Sequence, residues 1–362
     1  MPDIKKIDTN FVNKETELDL QYINPKNNSN IKVYGLNWFE KDKRFVRFPK
    51  ETDEMIKNLA EGLHYLVEQP SGGMLVFRSN TSTLKIKVKL GHTFNMSHMP
   101  FTGQGGCDVY IGKDFKSLTY FRTASYHYSL KEYEFTFFTN WPKEDRLYLI
   151  NLPLYGGIEE IEVGIDLDAS INKGEELFTK GKIVCYGTSI TQGGCASRGG
   201  MSYTNALSRR MGYEVLNFGF SGNGRGQVEI AEILGSIENV KMFILDYEAN
   251  ATLPMLKDTL DNFINKLRET YPLVPILVLS KIRMSVENHV EANYLDQLSR
   301  LKYQKSVVNK HKKYDKNIYF YDGHKLLGKY ANEATVDGCH PTDLGFMMIT
   351  ENLEKIINKI LN

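Results

Sequence analysis

No stretch of about 18 apolar residues occurs in this sequence, and its opening, MPDIKKIDTN, carries charge where a secretory signal needs an apolar core. These absences predict a soluble, cytoplasmic protein with no membrane partner. An excess of one charge is also missing: 45 Lys and Arg stand against 44 Asp and Glu, a formal net charge of +1. So balanced a chain offers no electrostatic footprint for a nucleic-acid backbone. Cysteine is scarce. Cys107, Cys185, Cys195 and Cys339 are scattered with no C-x-x-C pair, which disfavours a zinc site or a dense disulfide framework and fits a reducing compartment. Walker-lysine, H-E-x-x-H and G-x-S-x-G motifs are absent, and GFSGNGRG fails the dinucleotide fingerprint because Gln227 stands where its last glycine belongs. Nucleotide binding, zinc hydrolysis and the α/β-hydrolase fold are thereby disfavoured, and no cofactor or metal is expected.

What is present divides in two. At 362 residues the chain exceeds a typical single domain, and its patterning changes near residue 175. The runs MLVFRS, LKIKVKL, CDVYIG, YEFTFFT, RLYLINLP and IEEIEVGIDL are short, and LKIKVKL alternates strictly between apolar residues and lysine. Period-two alternation gives one face to a core and the other to water, so residues 1–175 are expected to form a β-sandwich domain of jelly-roll-like character. From Lys182 the order becomes strand, helix, strand, helix. KIVCYG, EVLNFG, VKMFILDY, PILVLS and NIYFYDG read as parallel strands. Between and after them, SYTNALSRRM, GQVEIAEILGSI, residues 254–270, residues 287–312 and GFMMITENLEKIINKIL read as helices. Residues 176–362 are therefore expected to be a three-layer α/β/α domain with its chemistry at the carboxyl ends of the strands. ASINKGEELFTKG reads as the linker.

Ser189 follows KIVCYG by two residues, on a tight turn at that carboxyl edge, and far downstream the chain reads VDGCHPTD. Asp337 and His340, three positions apart, can share one turn, so that the carboxylate orients an imidazole able to take a proton from Ser189. Pro341 holds the imidazole on a loop ahead of the last helix. Acyl transfer also needs donors for a developing oxyanion. Gly222, after EVLNFG, can offer an open backbone N–H, and Asn250, after VKMFILDY, a side-chain amide. Taken singly, each has an ordinary reading: Ser189 and Asn250 as helix caps, Gly222 and Asp337 as turn residues, His340 as a packed or surface histidine. Jointly they favour a site, because each falls on a loop beside the expected cleft.

These loops resemble the blocks of the SGNH, or GDSL-type, hydrolases: Ser189 in GTSITQG, Gly222 in FGFSGNG, Asn250 in DYEAN, and Asp337 with His340 in DGCHPTD. The resemblance implies that Ser189 is the nucleophile, His340 the general base and Asp337 its orienting acid. It further implies an oxyanion hole made by the N–H groups of Ser189 and Gly222 and the side chain of Asn250. The first block departs from Gly-Asp-Ser-Leu, and DYEAN lacks the usual Gly before Asn and Asp after it. With GGCASRGGMSY, LPLYGGIEEIEVGI and GCDVY, these departures resemble a bacterial subgroup that carries a β-sandwich with a GxDLY motif. Such enzymes remove small acyl groups, often acetyl, from carbohydrates, so the implied partner is an acylated sugar or oligosaccharide. Homo-oligomerisation is left open. Arg198, Asp108 and Tyr110 are candidate substrate contacts, with a structural salt bridge or a contact between the two domains as the alternative. Trp38, Phe39 and Trp141 are expected in core or interface packing ahead of a sugar-stacking platform. A glycan-binding protein with an inactive hydrolase domain, and an acyltransferase or lipid esterase using the same residues, stand as rival functions.

Overall fold

Leu84, Ile86, Val88 and Leu90 of LKIKVKL are buried, while Lys85, Lys87 and Lys89 face out, as two-residue periodicity requires. The lysines meet acids on neighbouring strands. Lys85 and Lys87 contact Glu134, and Lys89 lies 3.1 Å from Glu159. The structure, a computed structural model, describes residues 4–8, 19–93 and 95–362. The stretches 1–3 and 9–18 of the expected sandwich domain, with part of MPDIKKIDTN, lie outside the described residues.

One antiparallel sheet runs in the order β1 (Leu20–Ile23), β9 (Ile158–Asp166), β4 (Leu84–Leu90), β7 (Glu132–Phe138). A second runs β10 (Ile171–Asn172), β3 (Met74–Ser79), β8 (Arg146–Asn151), β5 (Asp108–Gly112), β6 (Thr119–Thr123), with β2 (Lys32–Tyr34) also on β3. Ile86, Phe135 and Val163 of the first sheet share a core with Phe77, Val109 and Ile150 of the second, which makes this half a β-sandwich. Trp141 packs in it at 4.1 Å from Phe138, and Phe39 is buried in it as well. The segment 169–181 is not slack: Ile171–Asn172 pairs with β3, and Leu177 and Phe178 pack with Tyr34 and Met74 on its outer face.

The second half is an all-parallel sheet ordered β12 (Glu214–Gly219), β11 (Lys182–Gly187), β13 (Val240–Asp246), β14 (Ile276–Leu279), β15 (Ile318–Tyr321). Its helices are α1 (Tyr203–Met211), α2 (Val228–Gly235), α3 (Leu253–Thr270), α4 (Glu291–His311) and α5 (Asp343–Leu361). Val184, Phe218 and Leu245 face α2, α3 and α4; Ile183, Val215 and Ile244 face α1 and α5. Opposite faces of each strand thus feed opposite cores, giving three layers. The chain steps one way from β11 to β12 and the other way to β13, so a crevice opens at the carboxyl ends of these strands. Helix α4 starts later than the expected 287–312, because Glu287 is buried against Lys281 on a separate turn, Ser285–Asn288.

One segment departs from the all-β reading. Asp53–Leu59 and Leu63–Val67 are helical, and Trp38, Phe48, Ile56, Leu63 and Val67 pack with Phe218 and Phe220 of the parallel-sheet half. Arg47, 1% exposed, donates to the carbonyls of Asn217, Gly219 and Leu66 and stacks 4.3 Å from the Phe220 ring centroid. Among the described residues no helix is long and apolar enough to cross a membrane.

Candidate active site

β11 ends at Gly187, and Ser189 opens a single helical turn, Ser189–Gln192. Thr188 caps that turn, its hydroxyl accepting the Ile190 N–H at 3.3 Å and its own N–H reaching Thr191 Oγ1 at 3.3 Å. The cap is therefore Thr188, and the Ser189 hydroxyl is left for another partner. That partner is His340, whose Nε2 lies 2.8 Å from Ser189 Oγ. On the other side of the ring, Nδ1 lies 2.7 Å from Asp337 Oδ2.

The loop that carries His340 is tied at several points. Val336 N–H bonds the His340 carbonyl at 2.8 Å, and Thr342, the N-cap of α5, donates its N–H to the Ala334 carbonyl at 2.9 Å. Asp337 Oδ1 accepts the N–H groups of Cys339 at 3.0 Å and His340 at 2.7 Å. Partial burial works to raise its pKa, but the His340 ring and these two N–H groups outweigh it and hold the carboxyl down at about 2. Asp337 is thus an anion facing the imidazole at any ordinary pH.

Ser189, Gly222, Asn250 and His340 line one cavity of about 380 Å³. Among the described residues the N–H groups of Ser189 and Gly222 have no hydrogen-bond partner. Gly222 has φ +69°, a left-handed conformation, and a Cβ there would meet nothing within 4 Å, so backbone conformation rather than space calls for glycine. Asn250 closes the turn Glu248–Asn250 after β13, and its amide donates one hydrogen to the Phe220 carbonyl at 3.2 Å. The second amide hydrogen remains for a ligand. The loop bearing Gly222 is clamped through Ser221, whose N–H and hydroxyl both reach Gln192 Oε1 at 3.0 Å and whose hydroxyl lies 2.8 Å from Tyr155.

Beneath the serine turn lies Asp246, half-buried at the end of β13, accepting the hydroxyls of Thr191 at 2.9 Å and Tyr203 at 3.1 Å. Burial raises it more than these bonds lower it, to about 7. Beside the Asn250 turn, Glu248 accepts the Lys281 N–H at 2.9 Å and the Gln304 amide at 2.7 Å, with the Lys281 ammonium against Glu287. Burial pulls Lys281 down to about 8.

Arg198, Asp108 and Tyr110 meet one another and do not line the cavity beside Ser189. Arg198 Nη1 lies 2.8 Å from Asp108 Oδ2 and 2.9 Å from the Tyr110 hydroxyl, and Asp108 is fully buried. Asp108 also accepts the Gly200 N–H at 2.8 Å and the Asn151 amide at 3.0 Å. This contact joins the second sandwich sheet to the loop after the serine turn. The remaining cavity wall includes Met96, His98, Tyr155, Met284 and Cys339. Tyr155 lies in LPLYGG and Cys339 between Asp337 and His340, so both sat within motifs already singled out. Nothing in the sequence marks Met96, His98 or Met284.

The comparisons follow the same division. The profile of the GDSL-like lipase/acylhydrolase family matches residues 180–358, and that of the N-terminus of SGNH-hydrolase-type esterases, GxDLY, matches residues 20–171. No curated protein matches the chain. A solved structure described as a GDSL-like lipase from Bacteroides ovatus is 30% identical with a TM-score of 0.86, covering 95% of this chain and 98% of that one. A salicylyl-acyltransferase from a tetracycline biosynthetic pathway is 18% identical, with a TM-score of 0.75 over 94% and 98% of the two chains. A family two carbohydrate esterase from Cellvibrio japonicus is 12% identical, with a TM-score of 0.60 over 95% and 98%. With identity at that level along nearly its whole length, and both profiles in register with its two halves, this chain belongs to the GDSL-like lipase/acylhydrolase family, its SGNH domain preceded by a GxDLY β-sandwich.

Proposed function

We propose that this protein is a serine esterase that removes small acyl groups, O-acetyl foremost, from a carbohydrate through an acyl-enzyme. The observation that carries the reading is the unbroken chain from Ser189 Oγ through His340 to Asp337, at 2.8 and 2.7 Å, beside a cavity with unpaired N–H donors. His340 Nε2 takes the serine proton as Oγ attacks the ester carbonyl, and the imidazolium formed is steadied by the Asp337 carboxylate. The oxyanion is received by the N–H groups of Ser189 and Gly222 and the free amide hydrogen of Asn250, each such donor being worth about a hundred- to a thousandfold in rate. His340 then protonates the departing sugar hydroxyl. Water, deprotonated by the same nitrogen, releases the carboxylic acid and restores the serine.

Three considerations support a short acyl group on a sugar. The cavity is small, about 380 Å³, and walled by Met96, Met284 and Ala249. The sequence offers no long apolar segment for docking lipid. A carbohydrate esterase shares the fold along both halves. Acetate release from a panel of acetylated plant and bacterial glycans tests the reading, with Ser189→Ala as the control. Turnover by that variant equal to the parent's would refute it.

A second reading gives the acyl group to a hydroxyl other than water's. It is favoured by the likeness to the salicylyl-acyltransferase, whose fold match also spans both halves. A ladder of acyl lengths with and without alcohol acceptors separates the two. Hydrolysis that falls steeply beyond acetyl supports the esterase, and an ester product that outpaces free acid supports the transferase. A glycan-binding protein without turnover is disfavoured by the intact hydrogen-bonded chain at Ser189.

A further inference from the structure

Histidine and cysteine from three remote parts of the sequence converge beside the serine. The side chains of His98, Cys195 and His340 offer one ligand atom each, all within 4.8 Å of one another. The rings of His98 and His340 lie 5.7 Å apart between centroids. His98 is exposed at the cavity mouth, while Cys195 is buried just behind the serine turn. Cys195 occupies a left-handed backbone position, φ +74°, that costs a residue with a Cβ on the order of 1 kcal/mol. No short motif spacing connects positions 98, 195 and 340, so the cluster exists only in the folded chain.

Two imidazoles and one thiol form the donor set of a borderline-soft divalent ion. Tetrahedral zinc, with bonds of about 2.0–2.3 Å, holds its ligand atoms roughly 3.5 Å apart. The three side chains therefore need only rotations that close them by about an ångström, and exposed His98 has the freedom to move. Because Asp337 occupies His340 Nδ1, the nitrogen left for a metal is Nε2, the one that faces Ser189.

We infer that the cleft carries an inhibitory site for a zinc-class divalent cation, ligated by His98, Cys195 and His340, with a fourth position for water. Binding replaces waters of the hydrated ion by two nitrogen–metal bonds and one sulfur–metal bond, and the Cys195 thiol proton leaves to solvent; nothing is oxidised or reduced. The ion takes the lone pair that would accept the serine proton, so the bound enzyme cannot start acylation. The inhibitory part rests on the reading of His340 as the base. The site itself does not.

Cobalt(II) titrated into full-length Ser189→Ala protein tests the site apart from catalysis. A thiolate-to-cobalt charge-transfer band in the near ultraviolet is expected, together with the intense visible bands of a tetrahedral ion. Cys195→Ser in that background should lose the charge-transfer band, and His98→Ala should weaken binding by about tenfold or more. Zinc titrated into active enzyme, each variant scaled to its own rate in chelator, should inhibit the parent. The half-inhibitory concentration should rise by about tenfold in both variants. Absence of the sulfur band in the Ser189→Ala protein overturns the site, as does equal zinc sensitivity of parent and His98→Ala, a surface change that leaves folding intact. A sulfur band together with zinc-insensitive turnover overturns the inhibition and leaves the role of His340 as the base to be judged by the kinetics of its own variant.

Discussion

Thr188 caps its helical turn by accepting the Ile190 N–H, and this leaves the neighbouring Ser189 hydroxyl to His340. In the proposed mechanism both the attack and the proton transfer pass through that oxygen, so Ser189→Ala should lower kcat on an aryl acetate by at least about 10⁴-fold with the thermal midpoint unchanged, as steady-state kinetics and calorimetry would show. Asp337 tests the next contact. Its folded value of about 2 lies below the ordinary 3.8, so the stability it contributes is complete above pH 3.8 and is lost as pH falls through about 2. Asp337→Asn should therefore cut kcat by about 10²- to 10⁴-fold at every pH from 5 to 9. A shifted acid limb of the pH profile at undiminished maximal rate would show that the loop backbone, and not the carboxylate, orients the ring. The three-residue spacing made the Asp337–His340 contact legible in the sequence. His98 and Met96 were not legible, because they reach the cavity from a loop of the sandwich half whose place no local pattern encodes.

The serine turn packs so closely on β11 and β12 that neither strand end has room for a side chain beneath it. A Cβ on Gly187 would lie 1.9 Å from Thr191 Oγ1, and one on Gly219 would lie 2.1 Å from the Gln192 nitrogen. Under this turn sits the Asp246 carboxyl, raised from 3.8 to about 7, so its effect on stability has the opposite sign to that of Asp337. The unfolded chain ionises first, so the folded state loses stability as pH rises from 3.8 to about 7, and little beyond. Asp246→Asn should then stabilise the fold at pH 8, by on the order of a few kcal/mol, and change its stability little at pH 4, as paired thermal melts would show. Strands were the legible elements. KIVCYG and EVLNFG form β11 and β12 from end to end, since apolar runs between turn residues have few alternatives. The helices Asp53–Leu59 and Leu63–Val67 were missed, being two turns or fewer and too short to show a period.

Across the whole molecule, the two halves are joined by buried polar contacts. Asp108 from β5 binds Arg198 and Gly200, and Asn151 from β8 binds both Asp108 and, at 2.9 Å, the Asn205 amide of α1. Asp108→Ala would strand the Arg198 charge. We expect it to destabilise the protein by about 3–5 kcal/mol while the folded fraction hydrolyses aryl acetate within severalfold of the parent. A raised KM for acetylated glycan at unchanged stability would instead return Asp108 and Arg198 to the substrate. Composition and motif order made the two architectures readable, but the docking between them depends on Arg47 and the aromatic residues around it, which a strand-by-strand reading treats as interior filler.

That docking constrains what can be cut. A gene shortened to begin near Lys182 would strip the cover from Phe218 and Phe220 and take the donor from the Gly219 carbonyl, just ahead of the loop bearing Gly222. Expressed alone, residues 180–362 should partition into inclusion bodies, whereas co-expression with residues 19–179 should recover soluble, active material, as fractionation and an acetate assay would reveal. Any recombination that moves the acyl-transfer machinery to a new partner must carry the stretch around Arg47 along with it.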